Sequence, residues 1–327
     1  MDLLVNQFWA LTITGLAIGA VYALVALGYT LVYGVLRLIN FAHSEVFMWG
    51  SFAAVWVLMA VGATNASGLG VVGLLVLGFA AAMAVSGLIA VGLEFFAYRP
   101  LRKRNSPPLI ALISAIGASF VLSEAMGLRD KPFSALGIEG LQEYVGRPRE
   151  NLPLPRVVDT DPVFPVFNYN VTNVDILVMV SALIMMVVLD QFMRRSRLGR
   201  GIRAVAQDPE SAALMGVNRD RVIRITFLIG GIMAGGAAML YLLKIGVTRY
   251  NAGFILGVKA FTAAVLGGIG NLRGALLGGF ILGVAENYGS AIFGTEWKDV
   301  VAFVLLVVIL LFRPTGLLGE SLGKARA

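Results

Sequence analysis

Seven apolar runs, near residues 8 to 33, 44 to 64, 69 to 95, 107 to 128, 173 to 193, 222 to 245 and 298 to 313, are each long enough to cross a bilayer or close to it. A membrane helix needs roughly 20 such residues, and hydrocarbon offers the backbone no partner, so each run must close its own hydrogen bonds. The expected fold class is therefore all-α: a polytopic integral membrane protein. Composition agrees, since 58% of the 327 residues are hydrophobic and only 14% charged, with a mean hydropathy of +0.84. A Gly-rich stretch from 254 to 292 adds either two short spans or a re-entrant hairpin broken near Gly267 to Arg273. Both choices return the chain to the same side, so the expectation is seven spans plus a hairpin, or nine. The start, Met-Asp-Leu-Leu-Val, has no basic region, which predicts a retained first span rather than a cleaved signal.

Loop charges orient these spans. The loop Arg99 to Arg104 carries four basic residues and no acidic one, and the island 194–224 carries eight basic against Asp208, Glu210 and Asp220. Short basic loops stay on the cytoplasmic side, so both are expected inside, with Arg37, Arg313, Lys324 and Arg326. The N-terminus is then outside, the C-terminus inside, and 129–172 is an outer-face loop with six acidic residues and six of the eleven prolines. The net charge of +7 follows from the same topology and does not point to nucleic acid. Cysteine is absent and His43 is the one histidine, so disulfides, thiolate metal sites and histidine metal sites are not expected.

The island 194–224 carries its own punctuation. Asp208 can cap a helix, Pro209 suits the first helical position, Glu210 suits the positive N-terminus, and Gly216 can end the helix left-handed. That predicts one compact helix in a basic loop, with Ala212 and Ala213 small enough for another backbone to approach, beside Leu214 and Met215. Such a helix can dock in a groove.

Glycine is the next signal. Gly270, Gly274 and Gly278 are spaced by four, as are Gly279 and Gly283, which gives a membrane helix a smooth packing face. The alternative is that Gly267, Gly268 and Gly270 break the helix so that Asn271 and Arg273 line an aqueous path. Ionisable groups near mid-membrane need a partner, water or an interfacial position. Arg37, Asn40, His43 and Glu45 fall in the polar break between the first two spans and form either a turn or an element lining a path. Glu94, Lys244 and Lys298 lie near span ends, where snorkelling is expected. Lys259 and Glu286 flank the glycine run and can approach one another as an ion pair or as substrate contacts.

Catalytic and nucleotide-binding arrangements are missing. The sequence has no G-x-x-x-x-G-K-[ST], no H-E-x-x-H and no G-x-S-x-G elbow with a base, so neither an enzyme nor a nucleotide site of its own is expected.

The segments YGVLRLINFAH (33 to 43), YRPLRKR (98 to 104), SRLGRGIRAVAQDPESAALMGVNRDRV (196 to 222), LGVKAFTAAVLGGIGNLRGALLGGFILGVAEN (256 to 287) and FRPTGLLG (312 to 319) resemble, in order, the LivH-type permease subunit of branched-chain amino acid ABC importers. Glu210, Ala212, Ala213 and Gly216 match the E-x-A-A-x-x-G core of the importer coupling loop. The resemblance implies one ABC permease transmembrane domain over 1–327, in the bacterial cytoplasmic (inner) membrane, with 194–224 as a cytoplasmic coupling loop. It implies that Pro209 to Met215 sits in the groove of an ATPase, flanked by Arg200 and Arg203.

The implied partners are a second, LivM-like permease subunit, two cytoplasmic ABC ATPase subunits that bind the ATP, an outer or periplasmic substrate-binding protein, and membrane lipids. No cofactor is implied for this chain. Transport would run by alternating access, with Asn40, His43, Glu45, Lys259, Asn271, Arg273 and Asn287 as candidates for the substrate path. Where relatives often have Gly-Asp or Gly-Glu after the histidine, this chain has Ser44-Glu45, and the Lys131 to Thr172 loop is long and Pro-rich. Urea and short-amide permeases share much of the pattern and stay open as substrates. An ion-coupled secondary transporter would instead need an intramembrane carboxylate, for which Glu124 is the candidate.

Overall fold

A computed structural model describes residues 7–63, 68–131, 135 and 145–319. Lys324, Arg326 and the first six residues, on which part of the expected orientation rests, lie outside the described residues. The chain runs α1 (Phe8–Leu36), α2 (His43–Ala60), α3 (Leu69–Leu93), a π-helical turn (Glu94–Tyr98), α4 (Arg99–Lys103) and α5 (Pro108–Gly127). After β1 (Leu152–Pro153), β2 (Pro162–Val166) and β3 (Tyr169–Thr172) come α6 (Asn173–Arg195), α7 (Arg197–Gln207), α8 (Pro209–Leu214) and α9 (Arg219–Ile245). Then follow β4 (Val247–Thr248), α10 (Ala252–Gly267), α11 (Leu272–Phe293), a 3-10 turn (Thr295–Trp297) and α12 (Lys298–Phe312).

Among the described residues, six helical segments are long and apolar enough to cross a membrane: Phe8–Leu36, Leu69–Lys103, Pro108–Gly127, Asn173–Arg195, Arg219–Ile245 and Leu272–Phe293. The protein is an all-α, multi-pass membrane protein. Helix α10 is apolar but short, and the stretch 254 to 292 does break where glycine clusters, between Gly267 and Leu272. Large apolar side chains stand bare along α3, α5, α6 and α12, among them Val76, Leu88, Ile113, Phe120, Ile184, Val188 and Leu311. Such faces suit lipid or a neighbouring apolar subunit and are unsuited to water.

The chain forms two compact units. The first takes residues up to 37, 160–226 and from 258 onward. Its axis is α1 against α11, joined by glycine on both sides. A Cβ added at Gly15 would lie 2.8 Å from the Val284 Cα, one at Gly19 2.8 Å from the Gly279 carbonyl, and one at Gly279 2.6 Å from the Ala23 backbone. Without a hydrophobic drive between helices in lipid, this close backbone approach is what yields dispersion energy. Gly267, Gly274 and Gly278 do the same between α10 and α11, where added Cβ atoms would run into the facing backbone. Packing thus accounts for Gly274, Gly278, Gly279 and Gly283. Gly270 is different: its φ of +98° puts it in the α10–α11 turn, with open space around it.

The segment Thr315–Gly319 packs against that turn. Leu317 and Leu318 donate their backbone N–H groups to the Leu266 and Gly267 carbonyls at 2.8 and 3.0 Å, pairing the last carbonyls of α10. The first unit also holds an antiparallel hairpin, β2 with β3, which pairs Pro162 with Thr172 and Val166 with Tyr169 and carries a bulge near Pro162 to Phe164. Hairpin strands were not expected in the outer loop. They lead into α6 through Thr172 and Asp175, which form a reciprocal capping box.

The second unit takes residues 38–159 and 227–257. Its core gathers Met48, Phe52, Val55, Leu58, Ala82, Met126, Leu152, Val157, Met239 and Leu242. Helix α3 packs through Ser86, whose hydroxyl donates to the Val46 carbonyl at 2.8 Å, and Gly231 and Gly235 of α9 let its backbone lie against Ala82 and Ser86. Strands β1 and β4 pair antiparallel, Leu152 with Thr248.

Candidate functional site

The arm between α6 and α9 is built from local caps. Ser196 ends α6 in extended backbone, and its hydroxyl accepts the Gly199 N–H at 2.8 Å to start α7. One face of α7 is buried through Gly199, Ile202 and Val205, which fixes the helix to the protein. At Asp208 the backbone returns to φ −147°, ψ 104°, and the side chain caps α8. Its Oδ1 accepts from the N–H groups of Glu210 at 2.9 Å and Ser211 at 3.2 Å, and its Oδ2 accepts from the Ser211 hydroxyl at 2.5 Å. Those donors, the Ser211 hydroxyl foremost, followed by the backbone N–H groups and then the charge of Arg37, hold the carboxyl below the ordinary carboxylate range.

Pro209 occupies the first turn, where it loses no helical hydrogen bond. At the far end Gly216 adopts φ +85°, and its N–H and that of Val217 reach back to the Ala213 and Ala212 carbonyls, both at 3.0 Å. Asn218 then caps α9 by accepting the Arg221 N–H at 2.9 Å. The expected cap, proline and terminating glycine are all in their places, and α7 ahead of them is an addition.

The two alanines divide. Ala212 is only 5% exposed and faces into the protein, whereas Ala213 is exposed beside Leu214 at 89% and Met215 at 85%. Of the two alanines expected on one surface, Ala213 is therefore the one displayed, with Leu214 and Met215, and Ala212 packs inward. Arg200 donates to the Arg195 carbonyl at 3.3 Å and Arg203 to the Met193 carbonyl, so both side chains fold onto the end of α6.

The candidate path residues fall into two groups, one per unit. In the second unit Asn40, His43 and Glu45 are all buried around the start of α2. The Asn40 Oδ1 accepts from the Tyr98 hydroxyl at 2.9 Å, and the Asn40 carbonyl accepts the His43 N–H at 3.1 Å. The Glu45 Oε1 accepts from the Ser119 hydroxyl at 3.2 Å. Its Oε2 is buried with no hydrogen-bond partner among the described residues, a costly position for a charged oxygen.

In the first unit Lys259 pairs with the buried Glu286 and with Asp299 at 2.6 Å, and its ammonium lies 5.9 Å from the Tyr22 ring centre. The approach of Lys259 to Glu286 is as expected, and Asp299 is a third member that the spacing did not indicate. Asn271 is a helix cap. Its Oδ1 accepts from the Arg273 and Gly274 N–H groups at 3.0 and 3.2 Å, and its Nδ2 donates to the Leu318 carbonyl at 2.8 Å. Asn287 donates to the Leu11 carbonyl at 3.4 Å, linking α11 to α1. Arg273 lines a cleft of about 160 Å³ with Leu27, Met186, Asp190 and Leu276.

With the capped arm and both buried polar groups described, the relatives of the sequence carry weight. The family described as branched-chain amino acid transport system / permease component matches residues 11–310. The high-affinity branched-chain amino acid transport system permease protein BraD of Pseudomonas aeruginosa is 43% identical over 312 residues, 94% of either chain. The corresponding LivH protein of Escherichia coli is 42% identical over 309 residues, again 94% of each. The chain belongs to this permease family. A more distant relative, the probable branched-chain amino acid transport permease protein LivH of Methanocaldococcus jannaschii, is 27% identical over 311 residues and also spans 93% of this permease.

Three charged groups of the permease escaped sequence reasoning. Glu94 does not snorkel: it continues the buried row Ala82, Ser86 and Ala90 of α3 at a spacing of four, is 1% exposed, and accepts from the Arg102 guanidinium at 2.8 Å. Arg129 is no solvated loop charge either. It is buried over the Phe52 ring and donates to the carbonyls of Val145 at 2.6 Å, Glu150 at 3.0 Å and Met126 at 3.3 Å, tying down the start of the insertion. Its place just past a helix C-terminus, where carbonyls lack partners, was the signal available. Glu124, the carboxylate an ion-coupled transporter would need, is instead half exposed and paired with Arg149 at 3.0 Å.

Proposed function

We propose that this chain is the permease subunit of an ATP-driven importer that moves branched-chain amino acids across the bacterial cytoplasmic (inner) membrane by alternating access. It pairs with a second, LivM-like permease subunit, takes substrate from an outer binding protein, and is energised by two cytoplasmic ATPase subunits that bind the ATP. In this reading 1–327 is one transmembrane domain, its N-terminus is outside, 129–172 faces outward, and the arm 194–224 and the C-terminus are inside. Asn40, His43 and Glu45 in one unit and Lys259, Asn271, Arg273 and Asn287 in the other are the polar groups available to the path.

The exposed tip of α8 carries this reading. A six-residue helix capped by Asp208, started by Pro209 and Glu210 and stopped by Gly216, displays Ala213, Leu214 and Met215 to solvent. Water exposure of that apolar set is unfavourable, and burying it in a groove on a partner relieves it. Membership of a family of transport-system permease components supports an ATPase subunit as that partner. Arg200 and Arg203 flank the tip and hold α7 to α6.

Replacing Ala213 with Trp adds a ring to the docking face without touching the buried Ala212. The ATPase subunits are then expected to be lost on co-purification from detergent, with the permease itself still recovered. An undisturbed complex would mean that α8 does not dock through this face. Substrate is tested with the purified complex and a panel of leucine, isoleucine, valine, urea and glutamate. Preference for urea overturns the aliphatic assignment.

A further inference from the structure

Helix α1 ends on a residue that should not favour its conformation. Arg37 sits at φ 54°, ψ 29°, in the left-handed region that non-glycine residues seldom occupy, with its N–H donating to the Tyr33 carbonyl at 2.7 Å. It is also the last residue of the first unit before the chain passes on. From there its guanidinium crosses to the arm, where Nη2 donates to the Gln207 carbonyl at 3.0 Å and contacts the Ala206 carbonyl at 3.5 Å. Those are the last two carbonyls of α7, groups a helix cannot pair internally, and a cation beside them also complements the negative end of the helix. The next residue along is Asp208, the cap of α8.

One side chain therefore joins the end of a buried membrane helix to the junction between α7 and α8. Helix α1 in turn lies backbone to backbone on α11 through Gly15, Gly19, Gly279 and Gly283, so a push at its end is delivered to a rigid pair. Packed backbones of this kind shift as bodies. We propose that Arg37 is the strut through which displacement of α8 reaches α1, a positioning residue for coupling and no part of the surface that grips the ATPase. The proposal rests on α8 being the ATPase contact.

The test uses the whole importer complex reconstituted in vesicles with its binding protein, carrying Arg37→Gln, Arg37→Gly or Arg37→Lys. Glycine keeps the left-handed turn and removes the guanidinium, whereas lysine keeps a charged donor. ATPase retention, ATP hydrolysis and amino acid uptake are read for each. The complex should stay intact, and uptake per ATP hydrolysed should fall roughly fivefold with glutamine and glycine, as expected for loss of one solvent-exposed hydrogen bond in a two-state element. Lysine should restore part of it.

A wild-type ratio with Arg37→Gly overturns the strut, and so does an equal fall in hydrolysis and uptake, which is the signature of a merely structural role. Loss of the ATPase from the Arg37→Gly complex also overturns it, since Arg37 would then act by presenting α8. If Ala213→Trp leaves the ATPase bound, the docking reading itself falls and takes the strut with it. A normal ratio at Arg37→Gly in an importer that Ala213→Trp does disrupt removes the strut alone.

Discussion

Replacing Gly279 by Ala tests the glycine seam between α1 and α11 with a single methyl group. The added Cβ would lie 2.6 Å from the Cα, Cβ and N atoms of Ala23, whereas apolar carbons rest at about 3.5 to 4.0 Å. The obstacle is backbone, so no rotamer change relieves it and the helices must part by about 1 Å. Parting loosens Gly15, Gly19 and Gly283 as well, because all lie on the same seam. Overpacking of this kind costs about 1 to 3 kcal/mol. Alanine in a helix returns about 0.8 to 1 kcal/mol relative to glycine, leaving a net loss of up to about 2 kcal/mol.

The same exchange at Gly73 or Gly92 of α3, where a Cβ meets nothing within 4 Å, keeps only the propensity gain. Thermal and SDS-induced unfolding of the detergent-purified protein should thus show a lower midpoint for Gly279→Ala and an unchanged or higher one for Gly73→Ala and Gly92→Ala. Equal midpoints for Gly279→Ala and the wild type would refute backbone contact as the basis of the seam.

Gly216→Val should leave membrane insertion intact while uncoupling hydrolysis from uptake: the site has room for the side chain, but φ +85° costs an L residue roughly 1 to 2 kcal/mol. Normal uptake in that variant, measured in vesicles, would remove the left-handed stop from the account of α8. Glu94→Ala removes the carboxylate that accepts from the Arg102 guanidinium and should cost about 3 kcal/mol, the low end for breaking a buried pair from one side. Removing both partners should cost less, and a double-mutant cycle with no coupling between positions 94 and 102 would contradict the pairing.

The parts legible in the sequence are those whose cause is local. Apolar runs set the membrane helices to within a few residues, as with 173 to 193 against Asn173–Arg195 and 107 to 128 against Pro108–Gly127. Helix α8 was legible because Asp208, Pro209 and Gly216 each act within three residues of themselves. What escaped was decided by rotation or by long-range contact. Glu94 continues the buried row Ala82, Ser86 and Ala90 at a spacing of four, but its place at a span end read as snorkelling because the contact with Arg102 eight positions on forms only in the folded chain. Which alanine of an adjacent pair faces inward depends on how α7 lies on the protein, so Ala212 and Ala213 looked alike. Arg37 and Gln207 are 170 positions apart, and only the folded chain brings them together.

The pairing of Leu317 and Leu318 with Leu266 and Gly267 has a consequence for biosynthesis. Because the chain is made from its N-terminus, α10 and its turn into α11 are synthesised about fifty residues before the strand of backbone that completes them. Until Thr315 to Gly319 arrives, two carbonyls at the end of α10 and the bare glycine turn beside them are left to water, to lipid headgroups or to the insertion machinery. The last stretch described therefore completes the end of α10, and a ribosome that stalls just short of it leaves behind a helical hairpin whose turn still lacks those two hydrogen bonds.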